Sequence, residues 1–334
     1  MSDKTRVSVR HQEKIEQVLP SMTKTPKTFY RYRTFSTTTL DTLCNDTVYF
    51  SNPGSFNDPL DCNPTLECDS PIEDLRNLLA FLVEGRVKGA ALRNLKRAFV
   101  KGNGATRHAK SQASNAANSK LADIAYHATN PDYGIDVLEA EAWLLVQEIE
   151  CELHQHYERG VCCFSSSYKN PLLWSHYGDQ HKGICVGYGV ERDPAPELNK
   201  VVYGGDRAIQ TSTLMAAFLE KDVEAKNDLD RAVFLRKARG WDYEREWRLI
   251  GNQGVQDSPL LLKEVVFGLR CTNAIKHTVV TVLSGRDNDV KFFEIHSVRG
   301  SYALRRGRLD RGELSAFLPK TAMSGVEIFG PATG

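Results

Sequence analysis

The chain reads as an α+β protein: a mixed or antiparallel central sheet flanked by helices, with a basic helical insertion at about 85–122. Three observations predict it. Short runs rich in β-branched and aromatic residues recur along the chain, as strands require. Two long stretches place apolar residues at helical spacing. The two kinds of element come in blocks without regular β-α-β alternation, which argues against a doubly wound parallel sheet.

Taken in order, residues 1–27 read as a polar leader closed by Pro26. Over 28–34, Phe29, Arg31 and Arg33 alternate with Tyr30 and Tyr32, which predicts a strand. A helical turn over 38–43 and a second strand over 48–51 follow, the latter broken by Asn52-Pro53-Gly54. Ser70, Pro71 and Glu73 predict a capped helix start, with Ile72, Leu75, Leu78, Leu79 and Leu82 on its buried face. Asp136 and Glu139 repeat the capping signal before the stripe Leu138, Ala142, Leu145, Ile149 and Leu153, with Gly160 as the expected stop. Between these helices, 85–122 holds nine Lys/Arg and no Asp or Glu. Its centre, 102–119, is rich in Gly, Ala, Ser and Asn and reads as a mobile insertion. The second half predicts strands at 161–165, 183–188, 201–203, 246–250, 260–267 and 290–295, interrupted by one helix over about 211–238. No repeat or sharp change of composition divides the chain, so 28–306 is read as one domain and 307–334 as a C-terminal tail.

Composition narrows the function classes. Apolar residues at 41% and charged residues at 25% set aside disordered and fibrous proteins. A net charge of +1 gives no whole-protein field toward nucleic acid or membrane, so any such attraction must be local, and 85–122 is where phosphate would be met. The start is polar, unlike a signal peptide, and the longest apolar runs are too short to span a bilayer. The expectation is a cytoplasmic protein with no membrane partner. Eight cysteines without a Cys-x-x-Cys pair read as reduced thiols. His154 and His156 point apart on a helix, and His176, His181 and Cys185 lack a second ligand pair, so no structural metal is expected.

Four segments are denser in polar and aromatic residues than packing needs. Arg31 and Arg33 share a strand face, either as a fork for phosphate or carboxylate or as solvated edge residues. Phe56-Asn57-Asp58-Pro59-Leu60-Asp61 combines turn formers with Asn57, Asp58 and Asp61, which either cap their own loop or face a ligand. Phe164-Ser165 is followed by Trp174-Ser175-His176-Tyr177, a group able to stack on a flat ring and hydrogen-bond around it. In 242–250, a strand would put Glu244, Glu246 and Arg248 on one face, as base and stabiliser or as a surface ion-pair ladder.

These four segments, with His181-Lys182-Gly183-Ile184-Cys185 and Lys263-Glu264-Val265-Val266-Phe267-Gly268, resemble the bacterial domain-of-unknown-function 2971 family over roughly 28–306. A looser likeness is to ADP-ribosyltransferases, which carry an early Arg or His, a middle aromatic with Ser or Tyr, and a late Glu, often Glu-x-Glu. Arg31 or Arg33, Phe164-Ser165 or His176-Tyr177, and Glu244-x-Glu246 follow that order. Phe56-Asn57-Asp58-Pro59 has no counterpart there, and the interval between the middle and late blocks is long. The likeness implies NAD as the cofactor, a nucleotide-type small molecule with a macromolecular acceptor, and a carboxylate at the developing ribosyl cation.

The leading expectation is therefore an NAD-using transferase or glycohydrolase, of the kind found among toxins and defence effectors. Glu246 would be catalytic, with Glu244 and His176 assisting. Arg31, Arg33, Ser165, Trp174, Tyr177, Asn57 and Asp58 would form the cofactor site. One alternative is a metal-dependent nuclease or phosphotransferase in which Asp58, Asp61, Glu244 and Glu246 converge on Mg²⁺ and the basic insertion holds nucleic acid. The other is a non-catalytic nucleotide- or peptide-binding sensor or adaptor anchored by Trp174, Tyr177 and Trp247.

Overall fold

A computed structural model describes residues 25–100 and 102–330, so all but the last three residues of the expected leader lie outside it. Strand β1 (Phe29–Arg33) is the alternating segment expected. Helix α1 (Thr37–Cys44) starts where the Ser36 side chain accepts from the Thr39 amide, and β2 (Thr47–Phe50) and β3 (Thr65–Glu67) follow.

Helix α2 (Ile72–Arg97) buries Leu75, Leu78, Leu79, Leu82 and Val83. The capping box expected at Ser70 does not form. Pro71 holds the cap position without a side-chain bond, and the Ser70 hydroxyl instead donates to Asp69, whose carboxylate accepts from the Ser212 amide. The basic insertion is helical, as expected, but helix α3 (Asn103–Ala128) also runs through its centre, which reads in sequence as a mobile stretch. Ala109, Ala113 and Ala117 recur every four residues and are buried, so small side chains let α3 lie closely against α2. A stripe of alanine has too little hydropathy to stand out from a loop in sequence.

Helix α4 (Val137–His156) starts at Asp136, which accepts from the Leu138 amide; Leu145, Ile149 and Leu153 are buried, whereas Leu138 is exposed. It ends at His156 rather than Gly160, which opens β4 (Gly160–Ser165). A Cβ on Gly160 would stand 2.6 Å from Phe50 Cβ, so glycine serves close strand approach there, not helix termination.

Next come α5 (Pro171–His176), β5 (Ile184–Gly189), β6 (Asn199–Lys200), β7 (Val202–Tyr203) and β8 (Ala208–Gln210). The single helix expected over 211–238 is two, α6 (Thr211–Phe218) and α7 (Val223–Phe234). Asp222 restarts the second by accepting from the Glu224 and Ala225 amides. The chain continues through β9 (Arg236–Lys237), a 3-10 turn at Arg239–Glu244, β10 (Glu246–Gly251), β11 (Gly254–Asp257) and β12 (Leu261–Phe267). It ends with α8 (Asn273–Leu283), β13 (Lys291–Ser297), β14 (Leu304–Arg308), α9 (Arg311–Phe317) and α10 (Gly325–Phe329). Leu309 and Leu314 are buried, so the chain still contributes to the core beyond residue 306.

The central sheet has eight strands in the order β14-β13-β12-β5-β1-β4-β10-β6, mixed because β12 and β13 are parallel and the other neighbours antiparallel. One apolar cluster joins α2, α4, α6 and α7 to Val161 of β4. A second holds Phe29, Val186, Leu249, Val265 and Phe267 of the sheet with Leu43 of α1 and Val279 and Leu283 of α8. Each fully buried Leu, Ile, Val or Phe in them is worth about 1.5–3 kcal/mol over exposure. This anchors the sheet from both sides and leaves its middle free to depart from regular pairing. Among the described residues no helix is long and apolar enough to cross a membrane.

Candidate functional site

The departure falls between β1 and β4. β1 pairs with β5 at five positions but with β4 only at Tyr30–Ser165. Beyond that pair, β4 is held at Val161 by Ser51, which leaves the rest of β1 without β4 as partner. A cavity of about 480 Å³ lies here, within the usual size of small-molecule sites. Tyr30 to Arg33 line one wall and Cys163, Phe164 and Ser165 the other; Ser55, Phe56, Asn57 and Asp61 come from the loop after β2.

Buried charge closes the cavity at Glu244, Glu246 and Lys237. Strand β10 begins at Glu246, so alternation puts Glu246 and Arg248 on one face as expected. Glu244 joins them by another route. It ends the 3-10 turn, and Arg245 adopts a left-handed conformation (φ 48°) before the strand starts. The Ser165 hydroxyl fixes this corner by donating to the Glu244 carbonyl at 2.6 Å, and the Glu246 amide donates to Tyr203 Oη at 2.7 Å.

Arg248 has no solvent exposure and donates from Nε to Glu246 Oε1 at 2.8 Å and from Nη2 to both Asp61 oxygens at 2.9 and 2.7 Å. Lys237 Nζ lies 2.6 Å from Glu244, 3.0 Å from Glu246 and 3.2 Å from Asp61. Tyr177 Oη donates to Glu244 Oε1 at 2.9 Å and stands 3.4 Å from Asn57. Two cations thus face three carboxylates.

Their protonation diverges. Burial dominates at Glu244 and raises its pKa above the ordinary carboxylate value, with Lys237 opposing. Burial also pushes Glu246 up, but Arg248 and then Lys237 outweigh it and hold that carboxyl at about 2. Lys237 stays charged because Glu246 and Asp61 offset its own burial. Paired carboxylates driven apart in this way are suited to different roles.

Across the cavity, Arg31 donates to Cys162 Sγ at 2.6 Å and to the Tyr49 carbonyl at 3.0 Å. Burial and the neighbouring Arg31 lower the pKa of Arg33. Among the described residues neither arginine has a carboxylate within ion-pair distance, so both retain capacity for an anion. Their end of the cavity is braced by the turn after α5. Asp179, Gln180 and His181 are all left-handed there, and a Cβ on Gly183 would stand 2.2 Å from the Arg33 carbonyl oxygen.

Of the residues expected at the site, Arg31, Arg33, Asn57, Ser165, Tyr177, Glu244 and Glu246 come together around the cavity. Three do not. Trp174 is fully buried, donates to the Tyr168 carbonyl and stacks on His181, so it has no face for a ligand. His176 is exposed at the end of α5, outside the lining. Asp58 turns away to accept from Trp241 Nε1 at 2.7 Å. A residue not anticipated at all is Lys237. In sequence it falls at the end of the helix expected over about 211–238, whereas α7 stops at Phe234 and Lys237 lies on the two-residue β9, and nothing in sequence ties it to Asp61.

The four carboxylates of the metal reading therefore do not converge. Asp58 is elsewhere, and the ammonium of Lys237 stands among the other three where a cation would bind. No group of three or more His, Cys, Asp or Glu with metal-ligand geometry occurs among the described residues. All eight cysteines are free, including the adjacent Cys162 and Cys163.

No curated protein and no solved structure, ADP-ribosyltransferase or other, matches the chain. A family model described as a protein of unknown function, DUF2971, matches residues 173–249. That segment carries Tyr177, Lys237, Glu244, Glu246 and Arg248, so it is in the closed end of the cavity that the chain is similar to the DUF2971 family.

Proposed function

We propose that the cavity binds NAD and cleaves its nicotinamide–ribose bond, as a glycohydrolase or an ADP-ribosyltransferase. The observation that carries this reading is the pairing of two carboxylate-free arginines with a desolvated carboxylate in one cavity. Arg31 and Arg33 suit a pyrophosphate, whose oxygens accept from guanidinium forks. Phe56, Tyr49 and Tyr177 supply aromatic surface at the lining, in place of the buried Trp174.

In the reaction the C1′–N bond breaks and its electron pair leaves with neutral nicotinamide. An acceptor hydroxyl or water attacks C1′ and gives its proton to a base. Glu244 is suited to that role, because burial raises its basicity and Tyr177 and Lys237 orient both oxygens. Glu246 is engaged by Arg248 and Lys237 and acts by holding them and by adding negative potential near the ribosyl cation.

The test is nicotinamide release from NAD, with and without cell lysate as a source of acceptors, by wild type, Glu244→Gln and Glu246→Gln. Release by wild type that falls at least about 100-fold in Glu244→Gln is expected for loss of a general base. No release and no NAD-induced thermal shift would overturn the reading.

A further inference from the structure

We infer that the tip of the α2–α3 hairpin is a binding arm for single-stranded nucleic acid, independent of the chemistry proposed for the cavity. The arm projects. Every fully buried residue of α2 lies between Leu75 and Val83, and from Arg86 onward this 26-residue helix buries none. Val87 is the last residue of α2 that packs against the core, and at roughly 1.5 Å per residue the helix runs on for about 15 Å beyond it to Arg97. There it is accompanied by Ala109 and Ala113 of α3, which are buried but belong to none of the apolar clusters of the core.

Charge is sorted along the arm. At its root, Arg86 pairs with Glu152 and Lys120 with Glu148, both carboxylates of α4. Toward its tip, Arg93, Lys96, Arg97, Arg107 and Lys110 are all exposed, and among the described residues none has a carboxylate at ion-pair distance. The sequence offers none nearby, since 85–122 contains no Asp or Glu. With a whole-chain charge of only +1, this is a local field and not a general one.

The turn adds an aromatic. Phe99 is 87% exposed and left-handed (φ 57°), in a position after a helix end where glycine is the ordinary residue. A bulky ring kept there, amid cations, is placed to stack on an unpaired base while the cations track the phosphates. An anionic bilayer would require a broad apolar face, and Phe99 and Val100 alone do not make one.

The experiment is fluorescence anisotropy of the full chain with labelled oligo-U and oligo-dT of about 20 nucleotides, titrated between about 50 and 200 mM salt. Binding should weaken with salt along a log–log slope of about −3. Lys96→Gln, Arg97→Gln and Arg107→Gln, which leave the buried face untouched, should each reduce that slope by about 0.7. Phe99→Ala should weaken binding roughly tenfold and leave the slope unchanged. Absence of binding at the lowest salt overturns the inference, as does binding indifferent to these variants with helicity intact. Binding only to vesicles of phosphatidylglycerol and phosphatidylcholine would overturn it in favour of a membrane surface.

Discussion

Lys237 Nζ stands 2.6 Å from Glu244 Oε2, yet Glu244 is the carboxylate of the cluster whose pKa is raised. The two facts agree once the other partners are counted. Asp61 and Glu246 also lie against Lys237, so its charge is secured without Glu244. Arg248 is likewise satisfied by Asp61 and Glu246. With Glu244 protonated, two cations face two anions and the buried cluster is neutral. Ionising Glu244 leaves one uncompensated negative charge in a desolvated site. Glu244 is thereby the group poised to exchange a proton with whatever occupies the cavity.

Removing Lys237 tests this account. Lys237→Met leaves Arg248 as the only cation against Asp61, Glu244 and Glu246, and deleting one partner of a buried ionic set costs about 3–5 kcal/mol. Adding Glu244→Gln leaves that one cation facing two carboxylates instead of three, so the double variant should recover part of the loss wherever Glu244 would otherwise be ionised. Urea unfolding at neutral pH reads both. A double variant as unstable as the sum of the singles would show that charge balance is not what Lys237 supplies.

The two glutamates should carry opposite pH signatures. Glu246 has its folded pKa depressed from 4.5 to about 2, so its contribution is fully present above about 4.5 and is lost as pH falls toward 2. A depression of this size corresponds to about 3 kcal/mol. Glu246→Gln should therefore destabilise at neutral pH and flatten the acid limb of the stability curve. Glu244 has its pKa raised, so its cost appears as pH rises through the ordinary carboxylate range. Glu244→Gln should be neutral or stabilising at pH 7. Equal effects of the two variants across a pH series of denaturant curves would contradict the assignment.

How much of this was legible in sequence depends on the range of the forces involved. β1 and β10 announce themselves because a half-buried strand must alternate, and Arg31, Arg33, Glu246 and Arg248 were placed on their faces by that rule alone. The loop carrying Asn57 and Asp61 was visible through its turn formers. Lys237 was not, because a two-residue strand has no period and its partner Asp61 is distant in the chain. Trp174 was misplaced for the opposite reason. Its company of Ser, His and Tyr looked like a polar site, but packing against Tyr32 and His181 consumes its ring. The cavity itself depends on β1 and β4 failing to pair beyond Tyr30 and Ser165, and local pattern does not report a missing partner.

Arg33 should behave as a binding residue that the fold does not need. Burial and Arg31 disfavour its charge, and no carboxylate among the described residues relieves it. Arg33→Gln should leave the melting temperature of the free protein unchanged or slightly raised. Affinity for ADP-ribose should fall about 10- to 100-fold, as expected for hydrogen bonds between charged groups. Calorimetric titration with ADP-ribose, beside thermal unfolding of the free protein, separates the two. A large loss of stability with unchanged affinity would make Arg33 a structural residue.

Tyr177 offers the sharpest link between geometry and rate. Its hydroxyl donates to Glu244 Oε1 at 2.9 Å, a bond that favours the ionised carboxylate and opposes the effect of burial. Tyr177→Phe keeps the ring at the cavity wall and deletes the donor, so the pKa of Glu244 should rise further. If Glu244 must be ionised to take the proton from the attacking group, the acid limb of kcat/KM for NAD moves to higher pH in Tyr177→Phe. At neutral pH kcat falls by roughly tenfold, because less of the base is in its working form. A ring that only stacks on the ligand predicts a different result, since phenylalanine stacks as well as tyrosine and both KM and the acid limb would stay where they are. The pH profile of the variant, measured beside wild type, therefore decides whether the hydroxyl or the ring is what the cavity uses.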